Sequence, residues 1–399
     1  MRLHYDQATE DFRAELRAWL EANRPQPEEM SREPSQSSAH LPPWARTWQR
    51  RLFDAGWLVP GWPPELGGRN ATPVQQMVYF EEFAGSRLPR ALNPQGLSIV
   101  TPSLIDFGSE EQKQRFALPS LRAEITWCLG MSEPGAGSDL AGLSTRAELA
   151  DDGFVVNGQK VWTSGAQHAD YCLCFVRTDP DAPKHKGISV LIVDMRSPGI
   201  TIRPLPQLTD PKQADFNEVF FASVVVPREN LLGPLHGGWS IAGGSLAHER
   251  GMLWIDQASS LERTVGRFIE LAAQALPDGR RLADNAVVRD QLAQLYIDAQ
   301  ALKFMGYHGF ATFARQHVSP EHSVLKLFGT ELERRLFLTM TEALGAAAID
   351  VSTPTGRRAR DEGPTAVRYL RSFAGTIAAG TSEIQRNIIA ERVLGLPRR

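Results

Sequence analysis

The sequence predicts an α+β chain in three parts, helical over residues 1–121, β over 122–235 and helical again over 236–399. Two changes of hydrophobic period predict it: apolar residues recur at helical spacing at both ends and in short β-rich runs between turn residues in the middle. Length agrees, because 399 residues exceed the size at which one core keeps growing, so two or three packed units are expected.

From Gln7 to Asn23 the apolar positions Phe12, Leu16, Trp19 and Leu20 mark an amphipathic opening helix. The polar, Pro- and Ser-rich stretch Pro25 to Pro43 reads as an exposed loop. Helical patterning resumes at Trp44 and runs, punctuated by Pro and Gly, to about Leu121. In the middle part, Phe154, Val155 and Val156 lead into Asn157-Gly158, a dipeptide suited to a type I′ hairpin turn, and Lys160, Val161 and Trp162 leave it. Tyr171 to Val176, Gly187 to Val193 and Val219 to Val226 are further strands. Beyond Gly238 the helical period returns. Leu325, Phe328, Leu332 and Leu336 step along one face, and Ile384 with Ile388 marks a last helix. Thr381 is placed to cap it and Gly395 to end it before Pro397. No internal repeat is present.

Composition narrows the function classes. With 42% hydrophobic and 22% charged residues the chain is of ordinary globular type. A net charge of -3 gives no reason to expect nucleic acid or an anionic membrane as partner. Cys128, Cys172 and Cys174 form no C-x-x-C pair, so they read as small packing residues in a reducing cytoplasm rather than as metal ligands or disulfides. The first 25 residues carry charges throughout and no apolar run has spanning length, which argues against a signal peptide or membrane helix.

Two segments carry chemistry. Met131 to Leu143, M-S-E-P-G-A-G-S-D-L-A-G-L, packs glycines and hydroxyls into a turn between apolar segments. Gly135 and Gly137 allow conformations and close approach that a Cβ would forbid. Ser132 and Ser138 offer hydroxyls beside exposed N–H groups, a way to hold phosphate or the edge of a polar heterocycle. Glu133 and Asp139 are placed to organise the loop through its N–H groups. The same composition also suits a tight surface loop. A dinucleotide fingerprint is excluded, since Leu140 stands where the third glycine belongs and no βαβ unit surrounds it. The second segment is A-G-T-S-E-I-Q-R, Ala379 to Arg386.

With G-W-P-P-E-L-G-G (Gly61 to Gly68), G-S-E-E-Q-K-Q-R-F-A-L-P (ending at Pro119), N-G-Q-K-V-W-T-S-G-A-Q-H-A-D-Y (Asn157 to Tyr171), V-P-R-E-N-L-L-G (Val226 to Gly233) and V-L-G-L-P from Val393, these segments resemble the acyl-CoA dehydrogenase family along nearly the whole chain. Members are FAD enzymes that place a trans double bond between Cα and Cβ of an acyl-CoA thioester. The resemblance implies an N-terminal helical domain, a central β-barrel or sandwich, a C-terminal four-helix bundle, and FAD in the cleft between domains. It implies that Met131 and Ser132 contact the flavin ring, that Gly137 and Ser138 approach pyrophosphate or the CoA moiety, and that Trp162 covers a flavin face. Thr163 and Ser164 follow, the latter near flavin N5, and Thr381 and Glu383 meet the dinucleotide. On pattern alone Trp162 reads as a core tryptophan and Thr381 as a plain helix cap.

The reaction needs a carboxylate base opposite the flavin in a water-poor cleft. Where most members carry a glutamate before the Gly-Thr of the second segment, this chain has Ala379. Some members place the base on a helix of the third domain, and here Glu249, within S-L-A-H-E-R-G-M (Ser245 to Met252), is the candidate. Leu246 and Met252 beside it would raise its pKa toward neutrality. Arg250, about 100° around the helix, would position the CoA-bearing substrate, and the N–H of Ala379, next to Gly380, would polarise the thioester carbonyl. Taken alone, Glu249 and Arg250 read as a solvated pair. His248 faces another way, and Arg357, Arg358, Arg360 and Lys326 read as solvated surface.

A second departure concerns assembly. The family's Arg-x-x-Phe-Gly segment, which reaches a neighbouring subunit's FAD, has no counterpart in Leu276 to Leu292, and Ala286 falls near its expected Gln. Gln-x-x-Gly-Gly is altered to E-A-L-G-A at Glu342 to Ala346. Two assemblies follow: a homo-oligomer, dimer or tetramer, with substitute contacts from Arg280, Arg281 or Arg289, or a hetero-oligomer with a related chain. The expected function is FAD-dependent acyl-CoA dehydrogenation with electrons passed to an electron-transfer flavoprotein. A flavin-dependent acyl-CoA oxidase and a non-catalytic subunit of a hetero-oligomer are the alternatives; retention of both flavin segments and of Glu249 argues against the second. Relocation of the base is a weak pointer to branched or bulky acyl groups.

Overall fold

The computed structural model describes residues 5–86, 88–90, 92–209, 214–250, 253–275, 279–316, 322–349 and 364–397, the side chains of 245–250, 253 and 311–316 excepted. Two compact units result, Met1–Gln76 with Leu88–Glu249, and Met77–Arg87 with Arg250–Arg399. Among the described residues no helix is long and apolar enough to cross a membrane, and no group of three His, Cys, Asp or Glu side chains could hold a metal ion.

In the first unit the opening helix spans Gln7–Asn23, capped by the Asp6 carboxylate on Thr9 N, and buries Phe12, Leu16 and Leu20. The stretch expected to be an exposed loop is exposed over most of its first half and largely buried in its second. Pro27–Arg32 is a short helix, and Ser35, Ser37, Ser38, Ala39 and Leu41 are buried. Its serines can be buried because they are paired: Ser35 Oγ donates to Ser37 O at 2.9 Å, and Ser38 N and Oγ donate to Asp215 Oδ1 at 2.6 and 2.9 Å. Polar composition signals exposure only when the polar groups lack protein partners.

The β part is one sheet of β1 (Trp127–Gly130), β2 (Arg146–Ala150), β3 (Gly153–Lys160), β4 (Tyr171–Arg177), β5 (Ile188–Asp194), β6 (Ile200–Pro204), β7 (Asn217–Val226) and β8 (Leu231–Leu232). Strand order is β6-β7-β3-β2-β4-β5-β8, with β1 parallel to β4. Both faces are covered along β4 and β5. Cys172, Cys174, Val176, Leu191 and Val193 pack on one side with Cys128, while Leu173, Phe175, Val190 and Ile192 pack on the other against Val100, Leu104, Phe116 and Ile241 of helical segments. Burial on two faces explains why these strands read as unbroken apolar runs. All three cysteines are free and buried.

Asn157-Gly158 is not a hairpin turn. The β2–β3 connection is Asp151-Asp152, and Asn157-Gly158 lies inside β3, where the register with β7 shifts. The extra residue is on β7, where Ser223 has φ +53° and donates its N–H to Asn157 Oδ1 at 2.7 Å. A Cβ on Gly158, which has φ +151°, would stand 2.7 Å from Thr145 Cα. Asn-Gly therefore serves a β-bulge here, with Asn as acceptor and Gly as clearance.

The second unit is a helical bundle of Leu253–Ala273, Ala286–Gln316, His322–Leu344 and Thr365–Ile377, followed by Ser382–Ile388. Leu325, Leu332 and Leu336 are buried along one face, as their spacing predicts, and Phe328 is half-buried. Gly306 is the point of close approach for the Trp254 ring, whose Cε3 lies 2.0 Å from where a Cβ would be. The chain is thus helical, then β, then a four-helix bundle, matching the predicted class.

Candidate functional site

The Gly-rich loop is held from below. Lys160, the last residue of β3, is fully buried and donates to Glu133 Oε1 at 2.8 Å and to Met131 O at 3.2 Å. Glu133 also accepts from Thr145 N at 2.9 Å and from Ser144 N and Oγ at 2.7 and 2.8 Å. Burial alone would raise its carboxyl, but the Lys160 charge and these hydrogen bonds outweigh that and hold it at about 2. Glu133 therefore organises the loop as expected. Asp139 is exposed and pairs with Lys184, which with neighbouring His185 keeps its carboxyl below the usual range.

The conformational freedom expected of this loop's glycines is not used. Neither Gly135 nor Gly137 has positive φ, and a Cβ on either would meet nothing within 4 Å. The chain itself does not require glycine at these positions, and the space beside them is open to a bound group. The hydroxyls of Ser132 and Ser138 have no protein partner among the described residues.

After β3, Trp162 has φ +59° and is 61% exposed, with the Phe216 ring perpendicular to it at 5.9 Å between centroids. It is not a core tryptophan. Left-handed backbone at a bulky residue costs about 1 kcal/mol and marks a functional constraint when the surroundings enforce it. They do: Val161 N donates to Ser132 O at 2.9 Å, Thr163 N to Asn217 O at 3.0 Å, and Asn217 Nδ2 to Thr163 O at 3.0 Å. Thr163 Oγ1 is buried without a partner, and Ser164 beside it is half-buried.

In the second unit, Thr381 caps Ser382–Ile388 by accepting from Ile384 N at 3.2 Å, as predicted. Ala379 and Gly380 before it have φ +54° and +94°. Their carbonyls are tied down, Ala379 O by Gln385 Nε2 at 3.0 Å and Gly380 O by Lys326 Nζ at 2.7 Å. The N–H groups of Ala379, Gly380 and Thr381 meet no described acceptor. Lys326 is therefore no solvated surface lysine. Glu383 is exposed, 3.5 Å from Arg386, and its carboxyl is held low by its own main-chain N–H and the Thr381 hydroxyl.

Glu249 and Arg250 fall in the last turn of the helix Gly238–Arg250, but their side chains, and that of His248, lie outside the described residues. Arg357, Arg358 and Arg360 lie outside them entirely. Arg281 pairs with Asp284, and Arg289 donates to Ala283 O at 2.7 Å.

Residues 6–124, 128–224 and 236–394 match, in order, the N-terminal, middle and C-terminal domains of acyl-CoA dehydrogenase. The chain belongs to the acyl-CoA dehydrogenase family. It is 36% identical to acyl-CoA dehydrogenase IpdE1 of Mycobacterium tuberculosis over 98% of this chain and 99% of that one. The ChsE4-ChsE5 complex from the same organism superposes with TM-score 0.80 and 31% identity, and the Tcur3481-Tcur3483 steroid acyl-CoA dehydrogenase with 0.81 and 32%, each over the full length of both chains. As an acyl-CoA dehydrogenase the chain is an FAD-dependent oxidoreductase. The residues present fit that group: uncrowded glycines, free hydroxyls, an orphaned Thr163 Oγ1 and a strained, exposed indole are what a bound polar heterocycle would use.

Sequence reasoning missed Lys160, Asn217 and Gln385 and misread Lys326 as solvated surface. For Lys160 a signal existed, since it shares strand parity with Phe154 and Val156 and so belongs to the buried face. The Lys326–Gly380 contact spans 54 positions and leaves no local trace.

Proposed function

We propose that this enzyme dehydrogenates the Cα–Cβ bond of a bulky acyl-CoA thioester, with Glu249 as the base, and passes the electrons to an electron-transfer flavoprotein. The observation that carries the reading is the turn at Ala379: its side chain is a methyl group, so the carboxylate must come from elsewhere, while its N–H remains free to donate. Glu249 takes the α proton, Arg250 holds the CoA portion, and the Ala379 N–H polarises the thioester carbonyl as charge develops on it. Bound FAD supplies the hydride acceptor. Met131, Ser132, Trp162, Thr163 and Ser164 would hold and cover its ring, Gly137 and Ser138 its pyrophosphate or the CoA, and Thr381 and Glu383 its dinucleotide portion.

The steroid acyl-CoA dehydrogenase among the similar structures supports a ring-bearing substrate class. Two similar structures named as pairs of chains, together with the missing family segments around Leu276 to Leu292, support assembly with a related chain over self-association alone.

Anaerobic titration with straight-chain, branched and steroid-side-chain acyl-CoAs, on this chain alone and co-purified with a related subunit, tests substrate class and assembly together. Glu249→Gln is expected to keep bound FAD and to slow flavin bleaching by roughly 10² to 10⁴. Bleaching at the wild-type rate would remove Glu249 from the role.

A further inference from the structure

We propose that Lys160 is a positioning residue for the flavin, acting through the buried Lys160–Glu133 pair that fixes the main chain of Met131 and Ser132. The inference rests on the proposed assignment of those residues and Trp162 to the flavin. Lys160 and Glu133 side chains are 0% and 4% exposed. Removing two charges from water costs several kcal/mol per ion, and well-packed apolar replacements of similar volume are often as stable or more so, so folding alone does not call for such a pair.

What the pair supplies is direction. Two consecutive carbonyls of the loop are held by two consecutive residues of the strand end: Met131 O by Lys160 Nζ at 3.2 Å and Ser132 O by Val161 N at 2.9 Å. Glu133 extends the clamp to the far side of the loop through Ser144 N and Thr145 N. The turn between closes on itself, Glu133 N to Ala136 O at 2.8 Å and Ala136 N to Glu133 O at 3.1 Å. One residue beyond Val161 stands Trp162 in its left-handed conformation. The Lys160 ammonium and the Val161 N–H thus hold the loop side by side, two residues and one residue before the indole, joining the two segments that would meet the ring from different parts of the chain. An apolar side chain in its place would fill the volume but leave Met131 O without its donor, so that the Ser132 O–Val161 N bond alone would hold this edge of the loop.

Lys160→Met combined with Glu133→Gln removes both charges and keeps an acceptor for one of the two loop residues, Ser144 or Thr145, that Glu133 now serves with separate oxygens. The apo double variant is expected to melt near the apo wild type, to bind FAD about tenfold more weakly, the worth of one directed hydrogen bond, and to show an altered long-wavelength flavin band. Lys160→Gln combined with Glu133→Gln, which keeps a donor for Met131 O and leaves no buried charge unpaired, is expected to recover most of that affinity. Unchanged FAD affinity and band shape in the Lys160→Met double variant would overturn the proposal. So would loss of apo stability in both variants, which assigns the pair to folding. Trp162→Ala separates this from the reading beneath it. If FAD affinity and spectrum survive that change, the flavin assignment of the segment fails; if they change while the Lys160→Met double variant behaves as wild type, only the clamp fails.

Discussion

Glu133 is a carboxylate whose protonation has a computable consequence. Its carboxyl stands at about 2 in the folded chain against 4.5 ordinarily, a depressed value. Its contribution to stability is therefore complete above pH 4.5 and is lost as pH falls through about 2. Glu133→Gln leaves the Lys160 ammonium buried without a counter-charge, which costs about 3–5 kcal/mol at neutral pH. Urea unfolding over a pH series should show that deficit shrinking below pH 4.5, as the wild-type carboxyl takes up its own proton; a deficit independent of pH would contradict the assignment. At this scale the sequence was legible where chemistry is local. Thr381 as cap and Glu133 as organiser of its loop follow from residue type and neighbours. The partners of Lys160 and Lys326 do not, because what decides them is which distant main-chain carbonyl the fold brings within reach.

Among elements, helices and strands with unambiguous period were readable, and errors arose where one signal serves two structures. Asn-Gly favours left-handed and open backbone in general, so it marks a bulge as readily as a hairpin turn. Gly158→Ala is expected to destabilise the sheet by about 1–3 kcal/mol, since its Cβ would press on Thr145, the residue that leads into β2. The helix Gly238–Arg250 offers the opposite case. Gly243 and Gly244 lie inside it, and a Cβ on Gly243 would meet nothing within 4 Å among the described residues. Gly243→Ala should therefore raise the unfolding free energy by about 0.5–1 kcal/mol through helix propensity, a gain thermal denaturation would register. The Ser-rich stretch after the opening helix shows the limit of composition, because Asp215, which accepts from Ser38, lies 177 positions away.

For the whole molecule, surface apolarity bears on assembly. On the helix Ala286–Gln316, Ile297 and Phe304 stand seven residues apart on one face and are 57% and 61% exposed. Large apolar groups aligned in this way are usual at subunit contacts. Phe304→Asp is expected to shift the assembly to a smaller species in light scattering while changing subunit stability by less than about 0.5 kcal/mol; an unchanged mass would place the contact elsewhere. The turn at Ala379 carries a different lesson. Alanine and glutamate meet the same steric demand at φ +54°, so exchanging one for the other asks nothing new of the main chain. If Glu249 is the proton acceptor, the scaffold can accommodate that group at either of two addresses, and a lineage could move it by point substitution alone, leaving sequence rather than architecture as the record of the migration.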